Sequence, residues 1–354
     1  MKAICGSACG LAILGLAFLL SWHNGFVRAD SSTLPIQSGS ELGSPIAWPD
    51  GAPASIGAPM AYAPGGRYLA FSIENHDVGV LDFQDQRVWS LRGTLAEDRH
   101  SYQSPVWVSD DELLVMEYWF DADQMAQSAE YDSEAAGPPA AEMLVPWRSY
   151  RTIDVSNQAT VAFEEIGRTM FPAYVAVKND AMWLAVAASD AEGRMPIRQY
   201  FPATKTWGRE VLAGDATIPS GYVGGMLLRG SAYPWLCRMA AHLPGASSVQ
   251  IEVVNGDTGE VFVLADVPTP AYGSLVVTSD GKWAIGATVG QNGPQTYFVD
   301  TSSGQVHCVP GEAWVPYAYS EARGAVAARV IRSDDEGLPE FYEVPLAQLV
   351  ARMR

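Results

Sequence analysis

Cysteine is scarce. The 354-residue chain holds four, and two of them, Cys5 and Cys9, fall in its first nine residues. Only Cys237 and Cys308 lie beyond residue 29. No C-x-x-C pair occurs and no Cys/His spacing suits zinc, so neither a dense disulfide framework nor a zinc module organises the chain. Positive charge is also short. There are 22 Lys and Arg against 40 Asp and Glu, for a formal charge of −18. Such a surface repels phosphate backbones and anionic lipid, which argues against nucleic acid as a partner, and it attracts cationic ones. Long stretches rich in Ala, Glu, Lys and Leu are missing, and with them the signature of a helical bundle. Missing too are the G-x-S-x-G elbow, H-E-x-x-H, G-x-G-x-x-G and the phosphate-binding loop. No cofactor and no metal is assigned on sequence.

What is present begins with an N-terminal apolar segment. Lys2 opens the chain, and residues 4–22 carry no charge. Val27-Arg28-Ala29 then places Val and Ala at −3 and −1 before Asp30, a signal-peptidase pattern. Two readings stand. Residues 1–29 are a cleaved export signal, or residues 4–22 remain as an anchor; nineteen residues make a helix of about 28 Å, barely the width of a bilayer core. Cleavage removes Lys2 and Arg28 and no acid, leaving about 325 residues at −20. Residues 30–58, rich in Ser, Pro and Gly, read as a linker with one possible strand.

The remainder repeats. One unit is a strand, a polar tight turn and a second, apolar strand. Met60-Ala61-Tyr62-Ala63 leads through Pro64-Gly65-Gly66-Arg67 to Tyr68-Leu69-Ala70-Phe71. Leu275-Val276-Val277-Thr278 leads through Ser279-Asp280-Gly281-Lys282 to Trp283-Ala284-Ile285-Gly286. Further copies turn at Lys178-Asn179-Asp180-Ala181 and Ser109-Asp110-Asp111-Glu112, and weaker ones at Gly230-Ser231 and Ala322-Arg323-Gly324. Asp, Asn and Gly supply turn chemistry by side-chain capping and tolerance of positive φ. The second strand is apolar on both faces, as in a sheet buried between two others. A second unit follows most copies: strand, polar turn, strand, as in Val80-Leu81-Asp82-Phe83 through Gln84-Asp85-Gln86 to Arg87-Val88-Trp89. It recurs near residues 152–161, 252–263 and 298–307 and predicts a hairpin each time.

Spacing tests the repeat. The first-unit turns centre near 66, 111, 180, 230, 281 and 324, with gaps of 45, 69, 50, 51 and 43. Four of the five match a propeller blade period of about 40–50 residues. The fifth contains an acidic, Ala-rich stretch, and removing about 24 residues restores it. The chain therefore reads as all-β: a β-propeller of six four-stranded blades, or seven, over residues 59–354 with an insertion at 121–145. The last blade shows strands near 317–319, 326–330 and 341–344 but no fourth. Ser44-Pro45-Ile46-Ala47-Trp48 is the candidate to supply it and close the ring from the N-terminus.

The segments Pro64-Gly65-Gly66-Arg67-Tyr68-Leu69-Ala70-Phe71 and Ser279-Asp280-Gly281-Lys282-Trp283-Ala284-Ile285 resemble the S-P-D-G-[KR]-x-[LI]-A-[FV] repeat of WD40-like propellers of the TolB and dipeptidyl-peptidase type. The resemblance implies a ring of four-stranded blades and carries no function, since such rings serve as scaffolds, lids and enzymes alike. Pro is absent before the Asp at 280, and Asp is absent from the 64–67 copy. Residues 30–58 are too short for the separate N-terminal domain of TolB-type proteins.

Candidate functional residues are few. Asp121, Asp123, Glu130, Asp132, Glu134 and Glu142 populate the insertion, a candidate interaction loop, since long insertions in compact folds are often functional. The pair Asp121 and Asp123 has calcium-loop spacing, yet no glycine and closing Glu complete that pattern. His76, His100, His242 and His307 are scattered over different blades. Tyr68, Trp183 and Trp283 recur at one place in the second strand and predict packing between blades. Trp89, Tyr118, Trp119, Phe120, Trp147, Tyr150, Tyr233 and Trp235 are less regular and are candidates for a rim pocket.

The functional reading is an exported binding or scaffold protein of the cell envelope, periplasmic or extracellular. Its partner is a protein or peptide, or else a carbohydrate, and it touches a membrane only if the N-terminal segment is uncleaved. No catalytic residue is assigned. The alternative is a propeller glycosidase or lyase that gathers carboxylates from several blades at the central channel. A third reading is a structural partner of an envelope complex, tethered by residues 4–22.

Overall fold

A computed structural model describes residues 43–50, 52–53, 56–73, 77–92, 101–119, 147–168, 172–178, 181–186, 197–201, 204–211, 226–227, 235–239, 247–255, 257–258, 260–271, 274–290, 293–309, 314–330 and 341–353. The strands are β1 (Ser44–Pro45), β2 (Ile56–Tyr62), β3 (Tyr68–Ile73), β4 (Asp77–Asp82), β5 (Arg87–Ser90), β6 (Ser101–Trp107), β7 (Glu112–Trp119), β8 (Trp147–Asp154) and β9 (Ala159–Arg168). They continue as β10 (Pro172–Lys178), β11 (Ala181–Val186), β12 (Ile197–Phe201), β13 (Thr206–Val211), β14 (Met226–Leu227), β15 (Trp235–Met239), β16 (Ser248–Asn255) and β17 (Val261–Pro268). The last are β18 (Leu275–Val277), β19 (Trp283–Gly290), β20 (Gly293–Asp300), β21 (Val306–Val309), β22 (Trp314–Ser320), β23 (Ala325–Val330) and β24 (Phe341–Pro345), followed by the short helix α1 (Leu346–Ala351).

Among the described residues these strands form six four-stranded sheets. Five of them take four consecutive strands in chain order, from β2–β5 to β18–β21. The last takes β22, β23 and β24, with β1 paired to the outer side of β24. All pairs are antiparallel. The six sequence turns all fall between the first and second strands of these sheets. At three of them a glycine adopts positive φ: Gly66 at 74°, Gly281 at 69° and Gly324 at 58°. Each donates its N–H back across the turn, to the carbonyl of Ala63, Thr278 or Glu321.

The sheets stack face to face, which is why second and third strands lack in/out alternation. β4 is buried along its whole length and β3 at five of six positions. Apolar cores join the first sheet to the second, through Tyr68, Val80, Trp107 and Val115. They join the fourth to the fifth, through Ile251, Val253, Ala284 and Val299, and the fifth to the last, through Ile285, Phe298, Trp314 and Val326. They also join the last to the first, through Met60, Phe71, Val315 and Phe341. Leu114 and Tyr150 of the second sheet meet Tyr200 of the third. Arg209 of the third reaches the Thr258 and Asp257 carbonyls of the fourth, both at 3.4 Å. The fold is a β-propeller.

The first strand of each sheet is an edge, and edges invite unwanted pairing. Three of these strands answer it alike. β2, β6 and β22 each shift register at or beside a proline, Pro59, Pro105 and Pro316. Proline has no N–H to offer, and a bulge breaks the template.

Cys237 is buried and Cys308 exposed, and no disulfide joins them. Among the described residues no helix is long and apolar enough to cross a membrane. Residues 4–22, read above as signal or anchor, lie outside the described residues.

Candidate functional site

Alternating strand direction gives each sheet two ends. The connections between first and second and between third and fourth strands emerge at one rim. Those between second and third strands, and from sheet to sheet, emerge at the other.

Among the described residues the first rim is built of short, capped turns. At four sheets the third strand ends in Asp or Asn, whose side chain accepts the next free backbone N–H groups. Asp82 Oδ1 accepts from Gln84 at 2.9 Å and Asp85 at 3.2 Å. Asp154 Oδ1 accepts from Ser156 and Asn157 at 2.8 and 3.1 Å. Asn255 Oδ1 does the same for Asp257 and Thr258, and Asp300 Oδ1 for Ser302 and Ser303. Hydrogen bonds from Ser156 and Ser302 hydroxyls, with the backbone donors, hold the Asp154 and Asp300 carboxyls below the usual carboxylate range. Burial acts to raise the Asp82 carboxyl, but the Arg67 guanidinium and the backbone donors outweigh it and lower it. These carboxylates are committed to the turns. They make this rim rigid rather than reactive.

The second rim carries the longest connection, residues 120–146 between β7 and β8. Its strand roots are pinned by a buried polar group of residues. Glu117, two positions before the end of β7, is fully buried. Ser149 Oγ donates to its Oε2 at 2.9 Å. Arg151 Nη2 donates to Oε1 and Oε2 at 3.1 and 3.0 Å, and Arg151 Nε to Oε2 at 3.3 Å. Arg151 Nη1 also reaches Thr160 Oγ1 at 3.2 Å. On the other side of Glu117, β6 sets fully buried Tyr102 in register with it. Burial first, and the Glu117 carboxylate second, push the Tyr102 phenol up to about 12.

Asp77 of the first sheet lies close enough to act on the same phenol. Its Oδ1 accepts from the Val78 and Arg92 N–H groups at 2.7 and 2.9 Å. Burial raises its carboxyl despite these bonds. A carboxylate that is fully buried, gripped by an arginine fork and a serine, is shaped to fix two strands, not to meet a substrate.

Sequence reasoning overlooked this arrangement. Its one signal is alternation: Leu113, Val115 and Glu117 share a face, so the charge must be buried with its apolar neighbours.

Asp121, Asp123, Glu130, Asp132, Glu134 and Glu142 lie outside the described residues. So do His76, His100, His242, Phe120 and Tyr233, and the side chains of Trp147 and Trp183. His307 sits half-buried on β21, edge-on to Trp283 at 5.7 Å. Tyr68 packs between sheets on Trp107, whereas Trp283 lies edge-on to Phe298 of its own sheet, beside the core shared with the last sheet. Tyr150 is no rim residue. It is 1% exposed, because its place on β8 opposite Met116 turns it into the junction with the third sheet. Trp235 is drawn to a turn instead, where its Nε1–H donates to the Ser279 carbonyl at 3.1 Å. Tyr118 and Trp119 stay half-buried at the root of the long connection. Among the described residues no three His, Cys, Asp or Glu side chains come together as a metal site.

The chain is similar to solved structures of this build. An oligogalacturonate lyase in complex with manganese superposes with a TM-score of 0.51 at 14% identity, over 81% of this chain and 76% of that one. Pyrococcus horikoshii acylaminoacyl peptidase gives 0.50 at 12% identity, over 82% of this chain and 44% of that one. TolB from Acinetobacter baumannii gives 0.44 at 14% identity, over 70% and 53%. Likeness at such identities is likeness of fold. No family model matches the chain, and no curated protein does.

Proposed function

We propose that this protein is an exported β-propeller that acts as a binding or scaffold protein of the cell envelope, engaging a protein or peptide through the rim from which residues 120–146 depart. One observation carries the reading: the chain's longest connection leaves a rigid sheet from roots pinned by Glu117, Ser149 and Arg151. Rigid scaffolds commonly present their binding segments in this way. The carboxylates of Asp121, Asp123, Glu130, Asp132 and Glu134 favour a basic partner segment. Export rests on residues 1–29, with residues 30–58 as linker and closing segment and 59–354 as the propeller.

The test places a photo-cross-linking residue at Ala126, within the connection, or at Gln84, on the opposite rim, in the full chain in its own host. A discrete cross-linked partner from Ala126 and none from Gln84 is expected. Changing the five carboxylates to amides should weaken that cross-link. Turnover of an oligogalacturonate or another glycan by the purified protein, with no such partner, would overturn the reading in favour of an enzyme.

A further inference from the structure

We propose that residues 43–48 form a strap that fastens the first and last sheets through two wedged side chains rather than through its strand ladder. The ladder is minimal. Ser44 and Pro45 pair with Glu343 and Tyr342, and the Ile46 N–H donates to the Phe341 carbonyl at 2.8 Å. Pro45 has no N–H to add. The side chains do more. Ile46 is buried in the core that both sheets share. Trp48 lies edge-on to Phe71 of the first sheet at 5.0 Å and to Phe341 of the last at 6.4 Å. Ile46 and Trp48 are covered while Ala47 between them is exposed.

A clasp backs the strap. Arg323, in the turn between β22 and β23, forks onto Glu343 with two bonds of 2.8 Å. Its Nη1 donates to the Gly66 carbonyl in the first sheet at 3.2 Å, and its guanidinium lies over Phe83 at 4.1 Å. Glu343 is the residue that Ser44 faces in the ladder, so strap and clasp meet on one strand. Among the described residues the chain passes between the two sheets through the strap, which precedes β2 in sequence. N-terminal trimming as far as Asp30 leaves the strap whole, whereas trimming past residue 48 opens the seam.

Hydrogen exchange read by mass spectrometry on the full chain tests this. Trp48→Ala should speed exchange about tenfold or more in 43–48 and 341–345, and leave 248–268 of the fourth sheet unchanged. Trp48→Phe should restore most of the protection, and Ala47→Ser should change nothing. Unchanged exchange in 341–345, or an equal rise in every sheet, overturns the proposal. Should Trp48→Ala not fold, Ile46→Val reads the same segments with the same two outcomes.

Discussion

The rings of Tyr68 and Trp107 stack across the junction of the first and second sheets, with centroids 5.6 Å apart and planes 16° from parallel. Both are buried, and Trp107 Nε1–H also donates to the Ala61 carbonyl at 2.8 Å. One residue thus supplies apolar area, ring contact and a hydrogen bond between neighbouring sheets. Trp107→Phe keeps the ring and loses the bond, at about 0.5–1.5 kcal/mol. Trp107→Ala should cost about 3–5 kcal/mol. Urea denaturation of both variants checks the ratio, and equal costs would mean that the ring contributes nothing.

The Arg151 fork predicts an asymmetry. Arg151→Met strands the Glu117 carboxylate in the interior, at about 3–5 kcal/mol. The double variant Glu117→Met with Arg151→Met removes both charges and should be clearly more stable than Arg151→Met alone. A double-mutant cycle on unfolding free energies measures this.

Asp77 should show the reverse of an ordinary carboxylate. Burial raises its native carboxyl above the unfolded range, so its charge costs stability at neutral pH. That cost is relieved as pH falls through the raised native value towards the ordinary carboxylate range. Asp77→Asn keeps an oxygen for the Val78 and Arg92 N–H groups and carries no charge. It should match or exceed the parent at neutral pH and lose this relative gain on acidification, while Asp77→Ala, without the acceptor, should be destabilised. Thermal melts from neutral to mildly acidic pH decide it.

Two turn glycines separate backbone from packing. Gly304 has φ 71° with open space around its missing side chain, so Gly304→Ala should cost only the left-handed conformation, about 1–2 kcal/mol. Gly281 has φ 69° and lies against the Trp235 ring, so Gly281→Ala must also displace that ring and should cost more. Comparing the two melts isolates the packing contribution.

Mass spectrometry of the protein recovered from its host should give a chain starting at Asp30. A chain retaining residues 4–22 would show an anchored form instead.

The turns were legible because their chemistry is local. Glycines at 66, 281 and 324 and acids at 82, 154 and 300 act on backbone a few residues away, so their spacing marked where the sheets turn. The hairpin of β12 and β13 is not legible in the sequence, because Phe201 stands where four of the other sheets carry the Asp or Asn that caps the turn. The place of Tyr150 is hidden from the sequence for another reason. An aromatic residue in a strand looks the same to sequence whether its face meets solvent or the next sheet.

The candidate site shows the same division. The long connection between β7 and β8 shows in the sequence as an irregular gap in the repeat, but Glu117, Ser149 and Arg151 do not. They are 32 and 34 positions apart in sequence, and only pairing of β7 with β8 brings them together.

By itself the sequence determined the β-propeller repeat, the turn chemistry and the one long interruption, since each depends on neighbours within a few residues. The tertiary structure alone decided which charges are buried and paired, which aromatic rings bridge sheets, and where residues 43–48 lie. Those outcomes depend on strand register and sheet stacking, which bring together groups as distant in sequence as Arg323 and Gly66.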